Sequence, residues 1–529
     1  MRQILHIFAK DSRRFWPEIA VSLAILVAFV RVYPVQWLET EGVSFISGPG
    51  FDHRKQLEIL ANVLVVLVPV TWWLLIARVV HAESLVGDRQ FWVTRPYEWK
   101  NLVGAKLLFL LVYLYLPFLV AQSALLGEAG FNPFQYVPGL LYSLYLVSGT
   151  IVVPLLAIAS VTKNFARMVL TSLGILIVLI AIAYLGAMAD SQSASTPYSD
   201  WVSMPIILLA CAVAITVQYS ARKVWLARGL LVTVPIVVML SALGLPDAAV
   251  MRAAYPRTNG GPSAVVDAPI QIAFDASQEW PKTWYADPKD KEVGAELPLI
   301  ISGVTKDNAA IIDDVMVTLD GANGEHWSSS WHPVYNHQFL PGTRKSSVSL
   351  MMSRSAYEQF KSIPVTLRMT FAVTQVRAGK ATEVVDTGHK FFVPDFGLCP
   401  PIATHWYSAS TFNCRTALHS PVLTYVSAEK SLVKCDSSQP EPGNGVPAGD
   451  WIGSLHADPA DFGITSVWSS RVSLARDSRD NYTICPGTPI RFTQYELVRR
   501  VQEDLTVPNL RLPILKSSLD DILTLRLKP

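Results

Sequence analysis

The sequence predicts a polytopic α-helical membrane bundle followed by a β-rich, sandwich-like region. Of its 529 residues, 51% are hydrophobic and only 16% are charged, whereas soluble domains carry about 25% charged residues. The apolar residues form long runs between 17 and 245, and beyond Pro246 the chain alternates apolar and polar positions. A membrane half therefore precedes a water-soluble half.

Seven apolar runs in the first half are long enough to cross a membrane, since a spanning helix needs about 20 mostly apolar residues. They lie at about 17–37, 57–79, 103–126, 137–161, 168–188, 202–219 and 229–246. Proline kinks a helix, and five prolines fall within these runs: Pro69, Pro117, Pro154, Pro205 and Pro235. We predict a transmembrane domain over 17–246 with about seven helices.

The residues that precede the first span mix apolar and basic positions at helical spacing. This pattern, MRQILHIFAKDSRRFW over 1–16, indicates an amphipathic helix on the cytoplasmic face of the membrane. A solvated basic N-terminus remains the alternative.

The distribution of Lys and Arg predicts the orientation, because basic loops stay in the cytoplasm. The short segments on one side of the spans are rich in Lys and Arg, whereas the opposite set holds only Arg54 and Lys55. The N-terminus is therefore predicted to be cytoplasmic. Seven crossings would place the C-terminal half outside the cytoplasm, and six or eight would place it inside.

The predicted cytoplasmic loop at 81–109, HAESLVGDRQFWVTRPYEWKNLVGAKLLF, is charged and rich in tryptophan. Such an interfacial segment is suited to dock a partner. The alternative is that its aromatic residues lie among lipid headgroups while Arg95 binds a lipid phosphate.

This loop resembles the ABC-2 type permease family, the membrane subunits of one class of ATP-driven transporters. The likeness is carried by acidic residues, a Phe-Trp pair, an Arg-Pro pair and a Lys that opens the next span: Glu83, Asp88, Phe91, Trp92, Arg95, Pro96 and Lys106. A Gln-Tyr-x-x-Arg-Lys run at Gln218–Lys223 is also similar. The resemblance extends over about residues 1–228.

The resemblance implies a six-span core, here with a seventh span added, in a bacterial plasma membrane. It also implies a homodimer or heterodimer of permeases and a separate ABC ATPase subunit, which the loop residues would contact. The chain lacks a G-x-x-x-x-G-K-[ST] phosphate-binding loop. We therefore expect no cofactor in this chain and ATP on the partner subunit. The net charge of +2 gives no support for a nucleic-acid partner.

The water-soluble half begins with a linker predicted at 247–262. Period-2 alternation at 269–277, 313–321, 347–353 and 364–376 indicates half-buried strands. We predict one β-rich domain at 263–396 and a second β-rich, disulfide-containing part at 397–529.

Four of the five cysteines follow the last predicted span: Cys399, Cys414, Cys435 and Cys485. An even number of cysteines in an oxidising compartment indicates disulfides. Three pairings remain open, and unpaired thiols or a zinc site are the alternatives. Neither a C-x-x-C spacing nor a G-x-S-x-G motif is present. We therefore predict no metal site and no catalytic residue, and we expect the neighbouring His326, His332 and His337 to face water.

Three functions fit these features. The first is a permease subunit of an ATP-driven transporter, with an unknown substrate. The second is a membrane-anchored extracytoplasmic binding or assembly protein, in which the bundle serves as the anchor. The third is a membrane-bound extracytoplasmic enzyme, which requires a polar pocket with perturbed ionisable residues in the β-rich half.

Overall fold

The computed structural model contains two compact units, each built from segments that are distant in sequence. The first combines Met1–Ala181, Trp201–Met239 and Lys380–Tyr495, and the second combines Ile182–Asp200, Leu240–Gly379 and Glu496–Pro529. These discontinuous units do not coincide with the contiguous predicted domains. The structure describes residues 2–38, 50–82, 98–189, 197–242, 247–257, 270–277, 284–285, 292–304, 307–329, 331–334, 338–339, 345–385, 389–394, 396–399, 411–417, 423–430, 446–452, 464–465, 467–473, 489–512 and 515–516.

The N-terminal half is helical. Its helices are α1 (Arg2–Arg14), α2 (Trp16–Val32), α3 (Gly50–His81), α4 (Trp99–Leu110), α5 (Leu116–Glu128), α6 (Val137–Val147), α7 (Val153–Val161), α8 (Phe165–Ala189), α9 (Pro197–Ser220) and α10 (Val224–Ala242). A 3₁₀ turn, Tyr33–Leu38, extends α2. One π-helical turn joins α4 to α5 and another joins α6 to α7.

Within the described residues, four helices are long and apolar enough to cross a membrane, which marks the chain as a membrane protein: Trp16–Trp37, Lys55–His81, Trp99–Glu128 and Val137–Val161. They coincide with the first four predicted spans. The other three predicted spans fall on α8, α9 and α10. The apolar stretches described there are shorter, at Phe165–Val178, Met204–Ser220 and Val224–Val234.

Large side chains fill the interior of the bundle. Phe29, Trp72 and Phe118 are almost completely buried in one apolar cluster that α2, α3 and α5 share. The opposite helix faces carry exposed aliphatic residues such as Val66 and Val120. An apolar exterior of this kind is the face that a spanning helix presents to lipid.

The two π turns explain how proline is accommodated in the middle of two spans. Leu111–Tyr115 ends two residues before Pro117, and Ser148–Val152 ends two residues before Pro154. Proline lacks an N–H and its ring clashes with the carbonyl four residues earlier, so a wider turn relieves that clash. The Tyr115 hydroxyl lies 2.8 Å from Ser148 Oγ. Because Ser148 gives its single proton to the Leu144 carbonyl, Tyr115 is the donor.

Tyr115→Phe should lower the free energy of unfolding by about 0.6 kcal/mol, because one neutral hydrogen bond between two spanning helices is lost. Thermal unfolding in detergent, followed by circular dichroism, measures this change. Tyr184→Phe is the control, since Tyr184 is exposed on α8. Equal stability of the Tyr115 variant and the control would contradict the assigned bond.

The C-terminal half is β-rich, as the sequence predicts. Its strands are β1 (Gln271–Phe274), β2 (Trp284–Tyr285), β3 (Glu292–Ser302), β4 (Asn308–Gly321), β5 (His326–Ser328), β6 (His332–Pro333), β7 (Gln338–Phe339), β8 (Lys345–Ser353), β9 (Val365–Val385), β10 (Phe391–Val393), β11 (Gly397–Cys399), β12 (Thr411–Ala417), β13 (Leu423–Lys430), β14 (Val446–Ile452), β15 (Val467–Ser473), β16 (Pro489–Leu510) and β17 (Leu515–Lys516). A short helix, α11 (Asp247–Ala254), precedes them, and α12 (Arg354–Phe360) follows β8.

Two sheets share one core in the second unit. The first has the order β1-β3-β2-β17, with β8 also paired to β3, and the second includes the neighbours β16-β9-β4-β5. β4 and β9 run antiparallel along their whole common length. Leu297, Val317 and Phe371, which come from both sheets, are fully buried in one cluster, as in two-layer sheet packing.

Helix α11 covers the other face of the β4–β9 sheet. Ala372 packs with Met251 and Tyr255, whereas its neighbour Phe371 faces the shared core, because side chains alternate along a strand. The Tyr255 hydroxyl donates to Asp313 Oδ2 at 2.7 Å. The first residues of the predicted linker at 247–262 are therefore a helix packed on the sheet.

Candidate functional site

Most of the predicted coupling residues belong to the segment 83–97, which lies outside the described residues. They are Glu83, Asp88, Phe91, Trp92, Arg95 and Pro96. The structure describes the two flanks of this segment, which are the end of α3 at His81 and the start of α4 at Trp99. It also describes Lys106, the remaining predicted coupling residue.

Lys106 forms a buried ion pair with α1. Its ammonium nitrogen lies 2.7 Å from Asp11 Oδ2, and the two side chains are 4% and 1% exposed. An isolated buried charge is very costly, so each of the two groups needs the other. Lys106 therefore links the first helix to the third span, and its charge does not face solvent.

Further contacts join α1 to α4 along the same helix face. The Asn101 side-chain amide donates to Gln3 Oε1 at 2.6 Å. A Cβ atom at Gly104 would lie 3.2 Å from Ile4 Cδ1, so the absence of a side chain permits this close approach. Ile7 is buried against the same helix. We call the packing of α1 against α4 and the end of α9 the N-terminal junction.

Helix α9 brings the predicted Gln-Tyr run to this junction. Tyr219 packs in one buried cluster with Ile7, Leu102 and Ala105. Gln218 is completely buried, and neither its amide nitrogen nor its amide oxygen has a hydrogen-bond partner within the described part of the chain. The resemblance pointed to this run, and the structure places its tyrosine against α1.

Sequence reasoning missed Asp11. The signal that identifies it is its position, because Ile4, Ile7 and Asp11 follow helical spacing and share the apolar face of α1. A carboxylate on an apolar face needs a cationic partner. The apolar and basic positions at helical spacing predict the N-terminal helix, but they do not identify the partner of this acid.

The end of α3 is also fixed by a neighbouring helix. His81 Nε2 lies 3.0 Å from Thr162 Oγ1, at the end of α7. Arg228 of α10 donates to the Val161 carbonyl at 3.1 Å. Both flanks of the segment 83–97 are therefore held, one by α7 and the other by α1.

Asp11→Asn should destabilise the bundle by about 3–5 kcal/mol, because it leaves Lys106 buried without a counter-charge. The double change Asp11→Leu with Lys106→Met should cost much less, since it removes both charges together. Thermal unfolding of the purified chain in detergent compares the two. Equal losses in the single and double variants would show that the pair is not coupled.

The structure describes two of the four cysteines that were predicted to form disulfides. Cys399 and Cys414 form a disulfide between β11 and β12, so one disulfide of the predicted set is present. Cys435 and Cys485 lie outside the described residues, and Cys211 is a buried free thiol. The strands β10-β11-β12-β15 form one sheet, which we call the disulfide sheet.

The disulfide sheet packs on the end of the bundle opposite α1, within the same compact unit. Ala417, Ile464 and Val467 belong to the apolar cluster of the bundle. The buried Gln122 of α5 donates its amide hydrogen to the Ile464 carbonyl. Arg415 lies over the ring of Trp37, 5.5 Å from its centroid. We call these contacts the far junction.

Close backbone packing explains one glycine of the disulfide sheet. A Cβ atom at Gly397 would lie 1.9 Å from the Arg415 carbonyl oxygen and 3.3 Å from Phe131 Cζ. Phe131 follows α5 and also contacts Phe392, with ring centroids 6.1 Å apart. Only glycine therefore lets β11 approach both β12 and the bundle.

Replacing both Cys399 and Cys414 by serine should destabilise the disulfide sheet by about 3 kcal/mol, because a short chain loop is no longer closed in the unfolded state. Non-reducing peptide mapping should first recover the linked 399 and 414 peptides. Limited proteolysis across temperature then measures the stability of the sheet, with Cys211→Ala as a control for loss of a thiol. Equal proteolysis of the double variant and wild type would contradict the prediction.

The described residues contain no group of three His, Cys, Asp or Glu side chains placed to hold a metal ion. His326 Nδ1 lies 2.8 Å from Asp320 Oδ1, and its side chain is exposed, as expected. The same expectation was wrong for His332, which is buried on β6. His337 lies outside the described residues. In β16, burial raises the pKa of the Glu503 carboxyl and nearby Arg499 partly opposes this shift. Arg499 Nε donates to Gln375 Oε1 at 2.7 Å, so these groups link β16 to β9.

Comparisons with known proteins assign no family. No family model matches the chain, and no curated protein matches it. Among solved structures, the chain is similar to the Pseudomonas fluorescens alkylpurine DNA glycosylase AlkC, bound to DNA containing an abasic site analog. The identity is 12%, the TM-score is 0.15, and the match covers 67% of this chain and 96% of that one. A TM-score this low carries no argument about fold or function.

Proposed function

We propose that the chain is the membrane-spanning permease subunit of an ATP-driven ABC-2 type transporter with an unknown substrate. A separate ABC ATPase subunit would bind ATP and contact the segment 83–97, and two permease subunits would form a homodimer or heterodimer. The observation that carries the proposal is the Asp11–Lys106 pair. It fixes α1 to the helix that begins directly after that segment.

Fixed flanks matter for coupling. A movement of a loop is transmitted to the neighbouring helices only if other contacts hold the two ends of that loop. The α3 end contacts Thr162 through His81, and the α4 start contacts Gln3 through Asn101. A partner that binds the segment 83–97 differently in two nucleotide states would shift the equilibrium between two helix arrangements. The ATPase would supply the free energy for this shift.

The distribution of charge supports the proposed orientation in a bacterial plasma membrane. The basic α1 and the Lys- and Arg-rich loops would lie in the cytoplasm. The disulfide sheet packs on the opposite end of the bundle, so it would lie on the extracytoplasmic side. A disulfide there agrees with an oxidising compartment.

Arg95→Glu should abolish association with the ATPase while membrane insertion stays intact, because Arg95 belongs to the Arg-Pro pair that the resemblance assigns to the ATPase contact and the change reverses its charge. Affinity purification of the tagged chain from its native membrane, followed by mass spectrometry, measures the associated P-loop protein. Arg167→Glu is the matched control, since it reverses an exposed charge in another predicted cytoplasmic segment, outside 83–97. Unchanged association in the Arg95 variant would remove the assignment of this loop.

A membrane-anchored extracytoplasmic binding or assembly protein is the second candidate. Its support is the β-rich half of the chain, which lies beyond residues 1–228, where the resemblance to permeases ends. In that case the bundle would hold the β-rich region at the membrane, and changes in 83–97 would be harmless. Purification of the intact chain without any P-loop protein would favour this candidate.

A further inference from the structure

One continuous helix joins the two junctions. Trp99–Glu128 runs through the membrane as α4, a π turn and α5. Its first turns carry Lys106, which pairs with Asp11, and its last turns carry Gln122, which binds the Ile464 carbonyl. At 1.5 Å rise per residue, these two anchors lie about 24 Å apart along the helix axis.

We propose that Trp99–Glu128 transmits movement between the N-terminal junction and the disulfide sheet, so that a shift at the start of this helix displaces the sheet. The inference deepens the proposed function and rests on it for the source of the movement. The coupling between the two junctions is a property of this chain alone, and it is testable without a partner.

The two anchors are directional contacts within a bundle whose interior is mostly apolar. Apolar side chains tolerate small sliding movements of packed helices, because their attraction depends little on direction. A buried ion pair or a buried amide bond is lost when its partner shifts, and the unpaired group is then costly. Gln122 is 1% exposed, and its partner Ile464 lies three residues before β15, so separation of the two would leave a buried amide without this partner.

Apolar contacts surround the Gln122 bond and extend the far anchor. Phe118 and Leu125 lie one turn before and one turn after Gln122, approximately on the same face. Both belong to the cluster that includes Ile464 and Val467. The amide bond thus lies within a dry, packed surface, where water does not replace it. This surface lets the disulfide sheet follow the last turns of the helix.

The π turn between the anchors is linked to a neighbouring span. Its Tyr115 bonds to Ser148 in the second π turn, and a Cβ atom at Gly149 would lie 2.4 Å from the sulfur of Met204 in α9. A π turn is a point at which a helix bends. Because the two π turns are bonded together, bending of one span is shared with the other.

Hydrogen–deuterium exchange of the full chain in detergent tests the inference through a double-mutant cycle. Asp11→Asn perturbs the N-terminal junction, and Gln122→Leu removes the amide bond of the far anchor while approximately conserving the volume of the side chain. The readout is amide exchange in peptides that contain β10, β11, β12 and β15. Val120→Leu is the matched control, since Val120 lies on α5 but is exposed.

Asp11→Asn should increase the rate of amide exchange in the disulfide sheet by about twofold to tenfold in the wild-type and Val120→Leu backgrounds. The reason is that a perturbation at one of two coupled sites also favours local opening at the other. In the Gln122→Leu background the same change should produce no further increase. Where Asp11→Asn does not yield folded protein, Asn101→Ala provides a milder perturbation of the same junction.

Two results would overturn the inference. One is faster exchange in α1 with unchanged exchange in the disulfide sheet. The other is an equal increase with and without Gln122, which would mean that movement reaches the sheet by another route. Failure of the proposed function is distinguished by the absence of a P-loop protein after purification, a result that leaves this exchange cycle unaffected.

Discussion

The buried ion pair between Asp11 and Lys106 is the constraint on which the arrangement of the first unit depends. Two charges that are almost excluded from solvent stabilise each other only while α1 lies against α4 in one register. The apolar contacts of Ile7 with Leu102 also stabilise this packing, but they define the register of α1 against α4 less strictly. The ion pair therefore gives an amphipathic helix, which could bind anywhere along a membrane surface, one fixed place on the bundle.

The same principle recurs along the bundle with weaker groups. Ser22 and Thr71 approach to 3.4 Å between α2 and α3, Tyr115 bonds to Ser148, and Gln122 binds Ile464. Hydrogen bonds between spanning helices contribute only about 0.6 kcal/mol on average, so no single one holds the bundle together. These hydrogen bonds fix the relative position of the helices, because each aligns two elements that apolar packing alone would leave free to slide.

Local patterns in the sequence predicted the elements well, and long-range packing less well. Hydropathy located the helices that include Trp72 and Phe118, and period-2 alternation located β4 and β9. The proline positions predicted kinks but not the π turns, because a π turn depends on how the carbonyls before Pro117 are accommodated. The return of 380–495 to the helical unit was beyond such reasoning, since contacts such as Gln122 with Ile464 join residues 342 positions apart. The pairing of Cys399 with Cys414 was one of several that the sequence allowed.

The far junction bears on the choice between a passive anchor and a moving permease. An anchor needs only a tether, and an apolar helix followed by a linker already provides one. Here Gln122, Trp37 and Phe131 come from separate elements of the bundle and all contact the strand-rich part of the first unit. Contacts from several helices make the position of the disulfide sheet depend on how those helices lie relative to one another. The position of a sheet held in this way changes when the helices of the bundle move. A permease that moves the sheet requires such a dependence, whereas a tether does not.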